Sequence, residues 1–181
     1  MSSQALRRLL HVGSVVILVI PLISSWDLLR VVVVLGAVFA VTFDLIRLRF
    51  ASLRRRIADL VPVFRPAEDQ RVSGATWLCA GYALAVLFPP LSPAAGILVG
   101  GLADPAASLV GSRSGGSGKK TVSGSLAALA VSLLALWLIG LPWPTVIGAA
   151  VVGTALERWP GPINDNLLVA PGVACVVWIT A

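Results

Sequence analysis

One aspartate of this sequence lies inside an apolar stretch that is long enough to cross a membrane. Asp104 follows Gly100 and Gly101 and directly precedes Pro105. A carboxylate in such a segment costs about 2.5–3.5 kcal/mol on insertion scales, so acids inside a membrane indicate function. The glycines allow close approach of a backbone or ligand, and the proline predicts a distorted helix. We therefore interpret Asp104 as a metal ligand or proton acceptor, rather than as an acid that reaches interfacial water.

A basic, glycine-rich loop begins about two helical turns after Asp104. Bare backbone amides and lysine ammonium groups suit phosphate oxygens. The loop is not a Walker motif, because Arg113 and Lys120 stand where that pattern requires Gly and Ser or Thr. Alone it is equally typical of a flexible basic loop, but its proximity to Asp104 favours phosphate binding. The candidate phosphate-binding residues are Gly111, Gly118, Lys119 and Lys120.

Two further groups of residues could complete such a site. Glu157 ends one apolar stretch, and Asp165 and Asn166 open the next. Their oxygens suit a hard cation such as Mg²⁺, although Asp165 is also typical of a helix N-cap. His11, the only histidine, shares a helical face with Arg7 and Arg8. On its own it is most simply an interfacial histidine.

The remaining candidates lie around a basic segment. Asp44 and Arg47 have the i,i+3 spacing of an ion pair, which suits a helix end as well as it suits function. Arg49 follows them, and the run 54–56 of three arginines predicts a basic amphipathic helix on anionic lipid. Glu68 and Arg71 follow in turn. Lipid attraction explains the arginines of this segment but not its acids.

The elements that carry these residues are predicted to be membrane-spanning helices. The 181 residues are 57% hydrophobic and 12% charged, with a mean hydropathy of +0.94, whereas soluble domains carry about 25% charged residues. Long apolar runs without alternation favour helices over barrel strands. We predict one all-α domain over 1–181. Its seven spans are Leu9–Trp26, Leu28–Ile46, Gly74–Phe88, Pro93–Val110, Gly124–Leu141, Thr145–Leu156 and Leu167–Ala181.

The distribution of charge predicts the orientation of these spans. Of the 14 Lys and Arg residues, all except Arg30 fall on the side of the bilayer that holds the N-terminus. The positive-inside rule makes that side cytosolic. Most acids fall on the same side, and the rule gives no reason for them. A cytosolic active site is the simplest cause, in an integral, multi-pass protein of a bacterial-type inner membrane.

Together these residues resemble the family of CTP-dependent lipid kinases that includes dolichol kinase, phytol kinase and the yeast-type diacylglycerol kinase. The resemblance covers most of the chain in order. It departs from the family at Ser123, where members carry Glu. The matching pieces are Arg7 to His11, Asp44 with Arg47 and Arg49, Glu68 with Arg71 and Gly74 to Thr76, Asp104 to Ala107 with Gly111, Lys119 to Thr121 with Gly124 and Ser125, Glu157, and Asp165 with Asn166.

The resemblance implies phosphoryl transfer from CTP, or ATP, to the hydroxyl of a membrane lipid alcohol, with Mg²⁺ as cofactor. Expected catalytic residues are Asp104, Lys120 and Asp165, and Mg²⁺ would be held by Asp104, Glu157, Asp165 and Asn166. Nucleotide contacts are expected from Arg47, Arg71, Gly111, Gly118, Lys119, Lys120, Gly124 and Ser125. Further site candidates are His11, Asp44, Arg49 and Glu68.

Two other functions remain open at this point. A phosphatidate cytidylyltransferase would share the donor and metal, but carries a longer, more Asp-rich C-terminal signature than residues 164–166. A transporter would tolerate Asp104, but would not explain acids confined to one face. The expected partners are a lipid alcohol, a nucleoside triphosphate and the bilayer, with no nucleic acid. Short spans also suggest a homo-oligomer.

Overall fold

The chain is helical throughout the part that the computed structural model describes, which comprises residues 3–60, 68–113 and 120–181. The prediction of an all-α fold is confirmed, because these ranges contain helices and no strand. Within them, three helical runs are long and apolar enough to cross a membrane, which is compatible with a membrane protein. These runs are Gln4–Ile23, Trp26–Arg49 and Ser92–Arg113. The count of seven spans and the cytosolic N-terminus stay predictions.

The first predicted span, Leu9–Trp26, is wrong at both ends. The helical run begins upstream of Leu9, so the basic residues before it belong to the helix. Trp26 instead begins the next helix, because the Ser25 hydroxyl caps it by accepting a hydrogen bond from the Leu28 N–H at 3.1 Å. The elements here are α1 (Ser3–Ser14), a 3₁₀ turn (Val15–Val19), α2 (Ile20–Ile23) and α3 (Trp26–Arg49).

The other helices lie close to their predicted positions, and side-chain caps define where several of them begin. Ser73, Thr121 and Asn164 each accept a hydrogen bond from a backbone N–H in the first turn that follows. The predicted distortion at Pro105 does not end the helix, which continues on both sides of it. The elements are α4 (Ala51–Leu60), α5 (Gly74–Ala85), α6 (Ser92–Arg113), α7 (Val122–Leu138), α8 (Trp143–Arg158) and α9 (Asp165–Thr180).

Helices α6 and α9 form the centre of the bundle. One hydrophobic cluster joins them to α7 and α8, and a second joins them to α3 and α5. Glycines allow α9 to approach closely: a β-carbon on Gly96 would collide with the carbonyl of Ala170, and one on Gly81 with the carbonyl of Asn166. This close packing fixes the start of α9 against α5 and α6.

The outer helices differ from the centre in what they bury. Within the 18-residue apolar segment of each long helical run, 6% is buried in Gln4–Ile23 and 22% in Trp26–Arg49, compared with 56% in Ser92–Arg113. A soluble protein rarely exposes so much contiguous apolar surface. The first two runs thus present their side chains outward, as helices do whose surroundings are lipid.

Candidate functional site

Residues from four segments converge on one small pocket at one end of the bundle. Asp104 comes from α6, Glu157 from the last turn of α8, and Asp165 and Asn166 from the first turn of α9. The turn before α7 adds Lys120. Four predicted site residues therefore line one pocket, with apolar neighbours behind them. The full lining is Val99, Gly100, Ala103, Asp104, Glu157, Asp165, Asn166 and Val169.

Lys120 links two of the carboxylates. Its Nζ lies 2.6 Å from Asp165 Oδ2 and 3.0 Å from Glu157 Oε1. Burial disfavours the charged ammonium, but the hydrogen bond and charge of Asp165, together with Glu157, outweigh burial and raise the pKa of Lys120. Lys120 therefore stands as a cation between two acids. It was predicted to hold phosphate oxygens, and here it neutralises the carboxylates.

His11 and Asp104 face each other across the α1–α6 interface. His11 Nδ1 lies 3.9 Å from Asp104 Oδ2, which is too long for a direct hydrogen bond. The His11 side chain is only 6% exposed, whereas that of Asp104 is 32% exposed. Within the described part of the chain, Nδ1 has no hydrogen-bond partner. His11, which the sequence alone favoured as an ordinary interfacial residue, thus belongs to the same constellation as Asp104.

The first turn of α9 is held by the residues that were proposed as metal ligands. The Asn164 side chain caps the helix by accepting from the Asn166 N–H at 3.1 Å, and Asp165 Oδ1 accepts from the same N–H at 2.9 Å. Asn166 Nδ2 donates to the carbonyl of Gly74 at 3.1 Å, tying α9 to the start of α5. The N-cap is therefore Asn164 rather than Asp165, and the second carboxylate oxygen of Asp165 accepts a hydrogen bond from Lys120.

A second polar cluster lies between α3 and α5. The predicted pair of Asp44 and Arg47 is present, with Arg47 Nε 2.7 Å from Asp44 Oδ1 and both side chains 2% exposed. The other carboxylate oxygen accepts from the Ser73 N–H and the Thr76 hydroxyl, each at 2.7 Å. Arg47 also donates to the carbonyls of residues 68 and 71. This geometry commits Arg47 to holding the entry to α5. The nucleotide contact expected of Arg47 stays a prediction.

Glu68 and its neighbours lie between the two clusters. Glu68 Oε1 accepts a hydrogen bond from the Gly74 N–H at 3.1 Å, at the start of α5. A β-carbon on Gly74 would meet Asn166 Nδ2 at 3.1 Å, and both Arg7 Nη2 and Glu68 Oε1 at 3.3 Å. Polar groups of α1, α9 and the segment before α5 thus meet at this glycine. The Arg71 and Arg49 side chains lie on the exposed surface nearby.

The glycines assigned to nucleotide binding serve helix packing. A β-carbon on Gly111 would lie 2.9 Å from Thr121 Oγ1, and one on Gly124 would lie 2.8 Å from the carbonyl of Ala107. Both positions therefore allow α6 and α7 to cross closely. Their expected nucleotide contacts stay predictions. The Ser125 hydroxyl is likewise engaged, because it accepts from Arg158 Nη1 at 2.9 Å. The predicted nucleotide ligands Gly118 and Lys119 lie outside the described residues.

Three residues support the site although the sequence did not single them out for it. Arg8 joins α1 to α6 through hydrogen bonds of 3.0 Å from Nε to Ser108 Oγ and from Nη2 to the Ser108 carbonyl. Arg158 joins the end of α8 to the start of α7, where Nη1 donates to the Thr121 carbonyl at 3.0 Å. The Thr76 hydroxyl donates a hydrogen bond to Asp44 Oδ2 at 2.7 Å. Arg8 and Thr76 lie inside quoted motifs, whereas nothing in the sequence distinguishes Arg158 from other basic residues at helix ends.

The pocket has the right chemistry for a hard cation, but its acids are not arranged as a ready-made site. Carboxylate and amide oxygens are the ligands that Mg²⁺ takes from proteins. Among the described residues, however, no three His, Cys, Asp or Glu side chains are grouped closely enough to hold a metal ion. Lys120 supplies the positive charge between Glu157 and Asp165. A cation there would therefore compete with the lysine for the same oxygens.

No family model matches the chain, and no curated protein or solved structure matches it significantly. The function is therefore inferred from the residues themselves and from their geometry.

Proposed function

We propose that this protein transfers the terminal phosphoryl group of a nucleoside triphosphate, CTP in the first instance, to the hydroxyl of a membrane lipid alcohol. The observation that carries this proposal is the convergence of Asp104, Glu157, Asp165 and Lys120 on one pocket. Phosphoryl transfer needs positioning and charge neutralisation more than covalent chemistry. Carboxylates for a metal ion and an ammonium group for phosphate oxygens are the groups that such a site requires.

The oxygen donors of this pocket are of the chemical type that Mg²⁺ binds. The residues that would hold it are Asp104, Glu157, Asp165 and Asn166, all of which line the pocket. When bound, the ion would neutralise charge on the transferred phosphoryl group. Lys120 would then be released from the acids to bind phosphate oxygens, for which its ammonium is suited. The lysine and the cation would thus exchange partners as the nucleotide binds.

The proposed transfer forms one bond to the γ-phosphorus, breaks another and moves one proton. A lone pair of the lipid hydroxyl attacks the γ-phosphorus, and a new bond forms between that oxygen and phosphorus. The bond from the γ-phosphorus to the β,γ-bridging oxygen breaks, and the nucleoside diphosphate leaves. The hydroxyl proton passes to a carboxylate, and we assign this role to Asp104, which lines the pocket and whose side chain is 32% exposed. The products are a lipid phosphate and a nucleoside diphosphate.

The outer helices support a lipid as the acceptor. Helix α3 carries exposed leucine, valine and phenylalanine side chains along most of its length, and α1 exposes Leu9, Leu10 and Val12 near its end. We further propose seven spans with a cytosolic N-terminus, which places the pocket where water-soluble nucleotide and lipid headgroups meet. Single cysteines in a background without Cys79 and Cys175, labelled from either side of sealed vesicles, test this topology. Labelling of positions 2 and 113 from opposite sides would contradict it.

A labelling experiment tests the activity. Purified protein in detergent is incubated with Mg²⁺, γ-labelled CTP or ATP, and a panel of phytol, geranylgeraniol, polyprenol and diacylglycerol. Label that enters the lipid supports the kinase. Pyrophosphate together with cytidine in a phosphatidate-derived lipid would instead establish a cytidylyltransferase. Absence of both products across the panel would contradict both enzymes and favour a transporter.

A further inference from the structure

One nitrogen of the buried His11 ring lacks a hydrogen-bond partner among the described residues and lies close to Asp104, which lines the pocket. Nδ1 is buried without a hydrogen bond, and Asp104 Oδ2 lies 3.9 Å from it. Buried polar atoms in proteins are nearly always hydrogen-bonded, so an orphaned one calls for an explanation. At this distance the two atoms cannot form a direct hydrogen bond, but they can interact electrostatically. An oxygen placed between them could lie at about 2.8 Å from both.

The surrounding structure holds the His11 backbone in place and does not bring the ring any closer to Asp104. The Ser14 hydroxyl donates to the His11 carbonyl at 2.6 Å and lies 2.8 Å from the Tyr82 hydroxyl, which lies 3.3 Å from the Ile97 carbonyl. One turn earlier, Arg8 is tied to Ser108. Since both sides of His11 are anchored to neighbouring helices, the gap is part of the packing. A ligand oxygen in this gap would supply the hydrogen bond that Nδ1 lacks.

We propose that His11 Nδ1 and Asp104 Oδ2 together hold the hydroxyl group of the lipid-alcohol acceptor, an inference that rests on the proposed kinase function. A hydroxyl is one donor and two acceptor lone pairs, so it can satisfy a carboxylate and an imidazole N–H at once. Its O–H would donate to Asp104, and one lone pair would accept from Nδ1–H. The remaining lone pair stays free for the phosphorus.

In this arrangement His11 binds the substrate hydroxyl, and Asp104 receives the hydroxyl proton. As the oxygen–phosphorus bond forms, the hydroxyl proton moves to Asp104 Oδ2 along the hydrogen bond that already exists. The bond to the bridging oxygen breaks, and the diphosphate carries away the electron pair. His11 neither gains nor loses a proton in this step; it fixes the direction from which the oxygen attacks.

The position of His11 also defines the class of acceptor. It lies on α1 beside three exposed apolar side chains, Leu9, Leu10 and Val12. An acyl or isoprenoid tail can lie along such a surface while its hydroxyl reaches the gap. A phosphate acceptor, as in CDP-lipid synthesis, would instead bring negative charge against Asp104. The gap therefore selects a neutral alcohol on an apolar chain.

The single histidine allows a direct test in the intact protein. We would label the chain with ¹⁵N-histidine, so that the imidazole signals come from His11 alone, and record spectra in micelles. Geranylgeraniol or dioctanoylglycerol should shift the Nδ1 resonance in a saturable manner. The methyl ether of geranylgeraniol, which cannot donate to Asp104, should produce less than a fifth of that shift. An equal shift with the ether, or none with either alcohol, would overturn the proposal.

Variants test the same contact by kinetics. His11→Asn can place an amide N–H near the position of Nδ1, whereas His11→Leu cannot donate at all. We expect His11→Leu to raise the KM for the alcohol at least tenfold while the KM for CTP changes less than twofold, and His11→Asn to restore most of the loss. Ser132→Ala serves as the control, because Ser132 is also buried without a partner but lies in the middle of α7. Equal changes of both KM values, or no rescue by Asn, would contradict the assignment.

The two experiments separate this inference from the kinase proposal. Label transfer to lipid with an unperturbed His11 resonance would remove the role of His11 and leave the kinase intact. A saturable, hydroxyl-dependent shift without phosphoryl transfer would establish the alcohol site and remove the kinase. Size-exclusion elution and helical circular dichroism of each variant verify that it folds. The resonance test uses the unmodified chain and therefore does not depend on any variant.

Discussion

The two polar clusters of this bundle are built from similar residues but differ in how completely they are paired. Between α3 and α5, both oxygens of Asp44 are engaged, and Arg47 contacts three acceptors, with both side chains 2% exposed. At the pocket, Asp104 is 32% exposed, and His11 Nδ1 has no hydrogen-bond partner among residues 3–60, 68–113 and 120–181. A saturated cluster has no capacity left for a ligand. An unsaturated one retains it, which is why we assign structure to the first cluster and chemistry to the second.

The largest expected effect is on stability, in the saturated cluster. Asp44→Asn keeps the shape of the side chain but leaves the Arg47 guanidinium buried without its counter-charge. Removing one partner of a buried ion pair costs about 3–5 kcal/mol, so we expect a loss of that size in the free energy of unfolding in SDS-containing micelles. Circular dichroism follows the transition.

An exposed pair in the same chain provides the matched control for that substitution. Asp27 and Arg30 have the same i,i+3 spacing and a distance of 2.8 Å, but their side chains are 85% and 40% exposed. Exposed pairs contribute about 0.2–1 kcal/mol, so Asp27→Asn should have little effect. Equal losses for Asp27→Asn and Asp44→Asn would contradict the view that burial makes the α3–α5 cluster structural.

The next effect is on turnover, in the unsaturated cluster. Asp104→Asn removes the proposed proton acceptor while keeping the shape of the side chain, and positioned acid–base groups contribute about 10²–10⁴ in rate. We expect kcat for lipid phosphorylation to fall at least about 100-fold, with an unfolding free energy within about 0.5 kcal/mol of wild type for a partly exposed group. Full turnover by Asp104→Asn in detergent would remove Asp104 from the mechanism.

The difference between the clusters could be only partly predicted from the sequence. The pairing of Asp44 with Arg47 follows from i,i+3 spacing, but that spacing is identical for Asp27 and Arg30, which are exposed. Burial depends on α5 packing against α3, and a single sequence gives no measure of that contact. The convergence of Asp104, Glu157 and Asp165 likewise depends on tertiary packing, since 61 residues separate the first from the last.

A glycine substitution tests whether the turn beside the pocket binds nucleotide or packs helices. In Gly124→Ala, the new β-carbon would lie 2.8 Å from the Ala107 carbonyl and 3.0 Å from Thr121 Oγ1, so α6 and α7 must separate. We expect a loss of about 1–3 kcal/mol in the unfolding free energy, as for other overpacked sites. Gly36→Ala in α3 is the control, because nothing lies within 4 Å of its added β-carbon. A raised KM for CTP in a Gly124→Ala protein of normal stability would instead support nucleotide binding by Gly124.

The positions of the helices could be predicted from the sequence, whereas the helix contacts at these glycines could not. Apolar runs and capping residues such as Ser73 and Thr121 predict where helices lie, because both act within a few residues. Both predicted ends of the first span were wrong. The helical run begins upstream of Leu9, at basic residues that hydropathy excludes, and the Ser25 cap assigns Trp26 to the next helix. Which helices touch at Gly111 and Gly124 depends on distant residues. An exposed glycine such as Gly36 looks the same in the sequence.

The smallest effect concerns the charge that distinguishes the two clusters most directly. Arg47 is buried among its acceptors, whereas Lys120 is 37% exposed and is held by the carboxylates of Glu157 and Asp165. If a cation competes with Lys120 for those oxygens, Lys120→Met should tighten Mn²⁺ binding in the absence of nucleotide by about tenfold, equivalent to about 1.4 kcal/mol. Electron paramagnetic resonance of free Mn²⁺ measures this affinity, and Lys120→Arg, which keeps the charge, should stay within about twofold of wild type. Unchanged Mn²⁺ affinity in Lys120→Met would mean that the ammonium and the metal do not share these acids, and the pocket would then resemble the saturated cluster more than the unsaturated one.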